Sequence, residues 1–312
     1  MAERATGSVT VLGTFVVDLT FVAGRGPAMG ETVLGDDFRI GPGGKGSNQA
    51  VAARRAGAEV ALIAKLGRDD FGGSARKLYA AEGISERYLI ETADQPTGAA
   101  SIFVDAASGE NAIVIVAGAG GAITEAEVDA AAEGIAQASV FMTQMEVPHA
   151  AAAQGLEIAK AHGVTTVFNP APAAAFPGSL YQTVDYLTPN ETEAAVLADT
   201  PVRDLAEAEA AADRFLAKGV GTAVITLGEH GAFVKSGSVR MHVPAFDSGP
   251  VVETTGAGDA FNGAFAAALA EGASAVDAVR FGCAAGALSV TRTGAAASMP
   301  RRSEIDTVLA RD

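Results

Sequence analysis

Short apolar runs alternate with alanine-rich periodic stretches along most of this chain, which predicts strands and helices taken in turn. Residues 9–12 read as a buried strand, 47–56 as a helix behind a glycine-rich turn, and 60–65 as the next strand. From Thr124 the rhythm is regular. A Thr-Glu-Ala-Glu capping box opens a helix to about residue 138, followed by strand 140–145 and helix 150–161, which Gly163 ends. Strands at 164–168, 185–188 and 223–227 then alternate with helices at 191–197 and 205–217, the latter with Gly219 behind it, and a small-residue helix covers 260–270. Such alternation implies an α/β fold with a central, mostly parallel sheet and helices on both faces. Three stretches break the pattern: 32–40, 99–104 and 112–116 have strand character, with turns at Gly35-Asp36 and Ser108-Gly109. They predict a small β-sheet standing off the body as a lid, inserted at about 15–42 and 97–117 of one domain spanning 1–312.

Composition supports one large unit. Forty-nine per cent hydrophobic residues over 312 positions suffice for a sizeable core, and the N-terminal third mixes short strands with loops. A net charge of −15 would repel a polyanion, which excludes a nucleic-acid groove or an anionic membrane surface but leaves room for a nucleotide. Cys283 is the single cysteine, so neither an internal disulfide nor a cysteine metal cluster is expected, in keeping with a reducing, cytoplasmic setting. The N-terminus has no basic start followed by a long apolar stretch, so neither a signal peptide nor a membrane span is expected.

The chemistry concentrates in Glu253-Thr254-Thr255-Gly256-Ala257-Gly258-Asp259. Gly256 and Gly258 permit a tight turn at a helix start, where unpaired amides attract anions, and Asp259 falls in the first helical turn, where the dipole favours a carboxylate. Phosphoryl transfer requires this pairing, with donors for the phosphate oxygens and a base for the incoming hydroxyl. In isolation the same stretch also reads as an ordinary glycine turn capped by Asp. In parallel α/β sheets ligands bind beyond the carboxyl ends of the strands. The residues there are small, polar or turn-forming: 13–18, 144–146, 169–172, 189–193, Gly228 and 256–259.

With these motifs in order, the chain resembles the ribokinase-like carbohydrate kinases, or PfkB family, from about residue 9 to about 300. The N-terminal hallmark is matched by Gly43-Gly44-Lys45-Gly46-Ser47-Asn48-Gln49-Ala50 with Gly57 and Gly67, and the C-terminal one by Thr254-Thr255-Gly256-Ala257-Gly258-Asp259 continuing to Gly263. Asn169-Pro170-Ala171-Pro172, Asn190 to Glu193 and Thr226-Leu227-Gly228 lie between, and the forms are most similar to the ribokinase and deoxyribokinase branch.

The resemblance implies a ribokinase-like fold and an ATP-dependent transfer to a primary sugar hydroxyl, with D-ribose to ribose 5-phosphate as the leading reaction. Asp259 would be the base, and the amides of Gly256, Ala257 and Gly258 would hold the transferring phosphoryl group. Asp18, Gly43, Gly44, Lys45, Asn48 and Glu146 would line the sugar pocket; Lys45 alone would read as surface charge. ATP would lie along Asn190, Thr226, Leu227, Gly228, Gly231, Gly256 and Gly258. Asn190 and Glu193 would organise Mg²⁺ through water, and the same two residues also read as a helix-capping pair. The resemblance further implies a homodimer through the lid strands.

Two positions depart from the family. Val16 stands where ribokinases usually carry Asn, an apolar group that would leave a sugar hydroxyl without a partner and so favour 2-deoxyribose or another sugar. Glu253 replaces an Asp in a loop that, by resemblance, binds K⁺ together with Thr255, Ser289, Arg292, Gly294 and Ser298. A non-catalytic sugar sensor on the same fold is the reading from a different class. Cys283 reads as core, flanking the adenine by resemblance, and the scattered histidines 149, 162, 230 and 242 read as packing or surface. Arg54-Arg55 and Arg301-Arg302 read as solvated faces, and the Gly118–Gly121 run lacks the spacing of a dinucleotide fingerprint.

Overall fold

A computed structural model describes residues 7–311. The N-terminal portion runs β1 (Ser8–Leu12), β2 (Val16–Ala23), β3 (Asp37–Gly43), α1 (Lys45–Arg55), β4 (Glu59–Gly67), α2 (Asp70–Glu82), β5 (Leu89–Thr92), β6 (Thr97–Asp105) and β7 (Asn111–Gly118). The middle follows as α3 (Glu125–Ala130), α4 (Ala132–Ala136), β8 (Val140–Gln144), α5 (His149–Ala161), β9 (Thr165–Asn169), β10 (Tyr186–Leu187), α6 (Glu191–Ala198), α7 (Leu205–Ala217) and β11 (Thr222–Thr226). The chain ends with β12 (Ala232–Ser236), β13 (Arg240–Val243), α8 (Ala257–Ala270), α9 (Ala275–Ser289), α10 (Ala295–Ser298) and α11 (Arg302–Leu309).

Nine strands form the main sheet in the order β13-β12-β11-β10-β9-β8-β1-β4-β5, parallel from β11 to β5, with β12 antiparallel to both its neighbours. Alternation along the strands feeds two cores. Val9, Val11, Val140 and Met142 face one side with α1, α8 and α9, while Leu12, Phe141 and Phe168 face the other with α5 and α7. The second sheet, β3-β2-β6-β7, is the expected lid: β2 pairs antiparallel with β3 and parallel with β6, and β6 and β7 form a hairpin over the Ser108-Gly109 turn. No helix among the described residues is long and apolar enough to cross a membrane.

Several elements differ from the sequence reading. The lid strand expected over 32–40 begins only at Asp37, after the additional lid strand β2; residues 32–36 lie outside it because the Asp36 amide bonds the Val22 carbonyl at 2.7 Å, and pairing starts beyond that turn. The helix expected over 124–138 divides at Ala131 into α3 and α4, tightening to bonds from the Ala131 amide to Val128 and from the Gly134 amide to Ala131. Gly134 there packs on Tyr88, whose ring would lie 2.2 Å from a Cβ at that position. The N-terminal third also holds α2, capped by the Asp69 side chain at one end and left-handed Gly83 at the other, so it is more than strands and loops. The β12–β13 hairpin and α11 also lay outside the expected elements.

One packing contact positions the site. Helices α1 and α8 touch closely at Gly263, where an added Cβ would come within 2.5 Å of both the Ala52 Cβ and the Gln49 carbonyl oxygen. Gly263→Val is expected to force the helices apart, costing about 1–3 kcal/mol or more in urea unfolding and lowering turnover with it. Unchanged stability would show that α1 and α8 are not in this register.

Candidate active site

The main sheet reverses its winding between β1 and β8, since β4 and β5 lie on one side of β1 and β9, β10 and β11 continue beyond β8. A crevice therefore opens past the carboxyl ends of these two strands. Thr14 follows β1 and Glu146 follows β8, and they meet across it: Thr14 Oγ1 donates to Glu146 Oε2, which also accepts the Lys45 amide at 2.9 Å. Strand β2 carries Asp18 over the same edge. Gly43 pairs with Val16 beside it, and its missing side chain matters, because a Cβ would lie 2.3 Å from Asp18 Oδ1. Gly44 then starts α1, and Asn48 and Gln49 follow one turn in.

Helix α8 enters from the other side. Gly256 holds φ 81°, a left-handed conformation that suits glycine, and Asp259 sits in the first helical turn at 6% exposure. Burying a carboxylate is costly unless it is hydrogen-bonded. Two amides from α1 meet that need: Asn48 Nδ2 donates to Asp259 Oδ2 at 3.0 Å and Gln49 Nε2 to Oδ1 at 2.9 Å. Asn48 Oδ1 is buried without a partner, an acceptor left for a ligand hydroxyl. The Ala257 amide, expected to face a phosphate, instead bonds the Thr254 carbonyl at 3.2 Å. A Cβ at Gly258 would meet nothing within 4 Å, so that face of the turn is open.

Lys45, Asn190, Glu193, Thr226, Gly256, Gly258 and Asp259 line one cavity of about 150 Å³. Asp18, Gly43, Gly44, Asn48 and Glu146 do not line it; Glu146 is tied to it by the Lys45 amide, and Asp18 is close enough to feel the charges of Glu146 and Asp259. A larger groove of about 730 Å³ lies at the opposite ends of β9 to β11, where Lys160 is already paired with Asp185 at 2.6 Å, and no candidate site residue lines it.

Charge in the cleft is mostly negative. Burial, reinforced by Glu146, Asp259 and Glu253, pushes the Asp18 carboxyl from its ordinary 3.8 up to about 6. Burial also raises Glu146 and Glu193, opposed at Glu146 by the Thr14 hydroxyl and the Lys45 charge. Lys45 is raised, chiefly by Asp259, so its ammonium is held among these carboxylates. It is no idle surface charge.

Asn190 and Glu193 form a reciprocal cap of α6, with Asn190 Oδ1 accepting the Glu193 amide at 2.8 Å and Glu193 Oε2 accepting the Asn190 amide at 2.9 Å. One Glu193 oxygen remains for an ion, and that donor set suits a hydrated Mg²⁺. The Thr226 amide bonds the Pro189 carbonyl at 3.0 Å, which ties the 226–231 loop to this cap; Gly228 (φ 51°) is exposed, and the Leu227 amide bonds the Gly231 carbonyl at 2.8 Å. Glu253 Oε2 accepts the Gly294 amide at 3.0 Å, joining the loop of Thr255 to the turn that carries Arg292 between Ser289, which ends α9, and α10, which ends at Ser298. The longer glutamate thus reaches the opposite loop through one of its two oxygens. Arg292 is paired with Glu304, and the Ser289 and Ser298 hydroxyls bond the Gly286 and Ala295 carbonyls.

Val16 differs from expectation. It is 1% exposed, and its Cγ1 occupies the space where a Cβ of Gly98 would be, so it presents almost no surface to a ligand here. Cys283 is core as expected, its thiol pushed up to about 12 by burial. Sequence reasoning placed Asn169 at the rim but gave no role to Gln49, Thr188 and Asn262; all four are buried, and Asn169, Thr188 and Asn262 line the cavity. Their signal was an amide or hydroxyl inside an apolar stretch.

The family model for pfkB family carbohydrate kinases matches residues 6–302. The chain belongs to this family. Among its relatives it is 41% identical to the ribokinase of Haemophilus influenzae over 95% of this chain and 96% of that protein, and 35% identical to the deoxyribokinase of Salmonella typhi over 94% and 95%. The structure of Arabidopsis thaliana ribokinase complexed with ribose and ATP superposes with a TM-score of 0.91 at 28% identity, covering 97% of this chain and 99% of that one. The pfkB fold and its carbohydrate-kinase activity therefore apply to this chain.

The raised Asp18 carboxyl gives a pH prediction. Because its folded value lies above the unfolded one, ionisation opposes folding; the penalty grows as pH rises from about 4 to about 6 and is complete above that. Asp18→Asn should therefore raise the melting temperature of the free protein at pH 8 by roughly 2–4 °C, the effect of about 1 kcal/mol in a chain of this size, and change it little at pH 4.5. An equal shift at both pH values would contradict this charge arrangement.

Proposed function

We propose that this protein transfers the γ-phosphate of ATP to the primary hydroxyl of a small sugar, with D-ribose to ribose 5-phosphate as its leading reaction. The observation that carries the reading is Asp259, buried at the mouth of α8 with both oxygens held by amides and open to the cavity. Two relatives, named ribokinase and deoxyribokinase, and a structural relative complexed with ribose and ATP support the substrate class.

In this reading Asp18, Glu146 and the free Asn48 oxygen accept hydrogen bonds from sugar hydroxyls, and Lys45 balances the carboxylates. Asp259 takes the proton as the sugar oxygen bonds to the γ-phosphorus and the bond to the bridging oxygen of ADP breaks. The Gly256 and Gly258 amides, which make no backbone bond outside the helix, receive the charge of the transferring group. Asn190 and Glu193 would hold Mg²⁺, an ion that would offset phosphate charge. Glu253, Thr255, Ser289, Arg292, Gly294 and Ser298 form the site of a monovalent cation such as K⁺. A second reading, 2-deoxyribose as the preferred acceptor, is favoured by the deoxyribokinase relative, while the buried Val16 does not bear on it.

The lid supplies the basis for a homodimer. Ile113, Val114, Ile115 and Val116 on edge strand β7 are 49–70% exposed, as is Ile40 on β3, an apolar surface that a second copy would cover.

Three experiments follow from this reading. Wild-type protein with Mg-ATP should consume ATP with ribose or 2-deoxyribose and be slow with hexoses; no pentose-dependent turnover would refute it. Asp259→Asn should lower kcat by roughly 100-fold or more while binding of sugar and ATP persists, and near wild-type turnover would remove Asp259 as the base. Sedimentation at micromolar protein should give a dimer that Val114→Lys with Ile115→Lys converts to monomer, and a wild-type monomer would contradict the lid contact.

A further inference from the structure

Gln49 lies in the same helix turn as Asn48 but stands in a different relation to the cavity. It is fully buried at 0% exposure, so no ligand reaches it, and both amide hydrogens and the amide oxygen are engaged. Its Oε1 accepts from Gln144 Nε2 at 2.6 Å, and its Nε2 donates to Asn169 Oδ1 at 3.0 Å and to Asp259 Oδ1 at 2.9 Å. Gln144 ends β8 and Asn169 ends β9, and Asn169 is itself fixed by its Nδ2 bond to the Thr188 carbonyl at 2.8 Å.

This arrangement leaves the amide one orientation. A flip would set its oxygen against both Asn169 Oδ1 and the Asp259 carboxylate, and its nitrogen against a donor. Of the two hydrogens on Nε2, Asn169 holds one, so the other is directed at Asp259. Two strand ends of the main sheet thereby set the position of a carboxylate carried on α8. We propose that Gln49 is a positioning residue for Asp259, holding that carboxylate oriented for proton transfer from the acceptor hydroxyl. The proposal rests on the reading of Asp259 as the base.

The charged groups facing Asp259 come from other elements: Lys45 on α1, Asp18 on β2, Glu146 beyond β8 and Glu193 on α6. None of them bonds Gln49, so a Gln49 variant leaves that field in place and removes only the donor. Loss of a donor to a carboxylate disfavours its ionised form, and a second carboxylate beside it disfavours it further.

The test is the pH dependence of kcat for Gln49→Met and the isosteric Gln49→Glu, measured beside Asp259→Asn. Gln49→Met should lose roughly 10- to 100-fold in kcat with KM for ribose and ATP nearly unchanged, and its acid limb should move to higher pH by about half a unit or more. Gln49→Glu, which keeps the volume but sets a second acid against Asp259, should move the limb further, with the melting temperature of each variant showing that it is folded under assay. A loss uniform across pH with the limb unmoved, or wild-type kcat in both variants, would overturn the positioning role. An inactive Asp259→Asn beside an unmoved Gln49 limb would strike the positioning role alone, whereas an active Asp259→Asn would strike the base reading beneath it.

Discussion

A carboxylate buried between two helix starts is the constraint on which the site depends. Asp259 is 6% exposed, and taking a charge out of water costs several kcal/mol unless donors replace the lost hydration. The donors come from α1, so α1 must lie against α8, and Gly263 allows that approach by carrying no side chain into Ala52 and the Gln49 backbone. The glycine turn before α1 and the glycine turn before α8 follow from the same demand. Each lets its helix begin close against the neighbouring chain.

The sheet topology then determines what else can gather there. Reversal of winding between β1 and β8 opens one crevice, and the loops after β1, β8, β9, β10 and β11 all end at its rim. The lid strand β2 closes over it with Asp18. The resulting cleft is rich in carboxylates and holds one central ammonium, Lys45, an arrangement ill suited to a free anion but suited to neutral hydroxyls and to a phosphate that arrives with its metal. The raised Asp18 carboxyl is the electrostatic sign of that crowding.

Much of this was legible in the sequence because the informative residues are punctuated by glycine. Gly43-Gly44-x-Gly46 and Gly256-Ala257-Gly258-Asp259 marked both helix starts, and the Asn190 to Glu193 box marked α6 together with its capping geometry. Helices α5, α6, α7 and α8 were readable from periodicity, α7 to its exact bounds, whereas α9, α10 and α11 were not. The misses have a common cause in contacts between distant segments. The break at Ala131 accompanies the packing of Gly134 on Tyr88, forty-six residues away, and no local signal announces it. Gln49 read as a motif letter beside Asn48, since its three partners, Gln144, Asn169 and Asp259, lie at sequence separations of 95 to 210. Val16 was read for its chemistry, whereas its burial against Gly98 depends on lid pairing that only the folded chain reveals.

The most direct measurement is phosphorus NMR of the products formed from Mg-ATP and ribose, with and without K⁺. The account predicts one sugar phosphate with the phosphorus on the primary 5-hydroxyl, formed in equal amount with ADP. Inorganic phosphate in place of the sugar ester, or an ester at a secondary hydroxyl, would contradict the placement of Asp259 beside the acceptor.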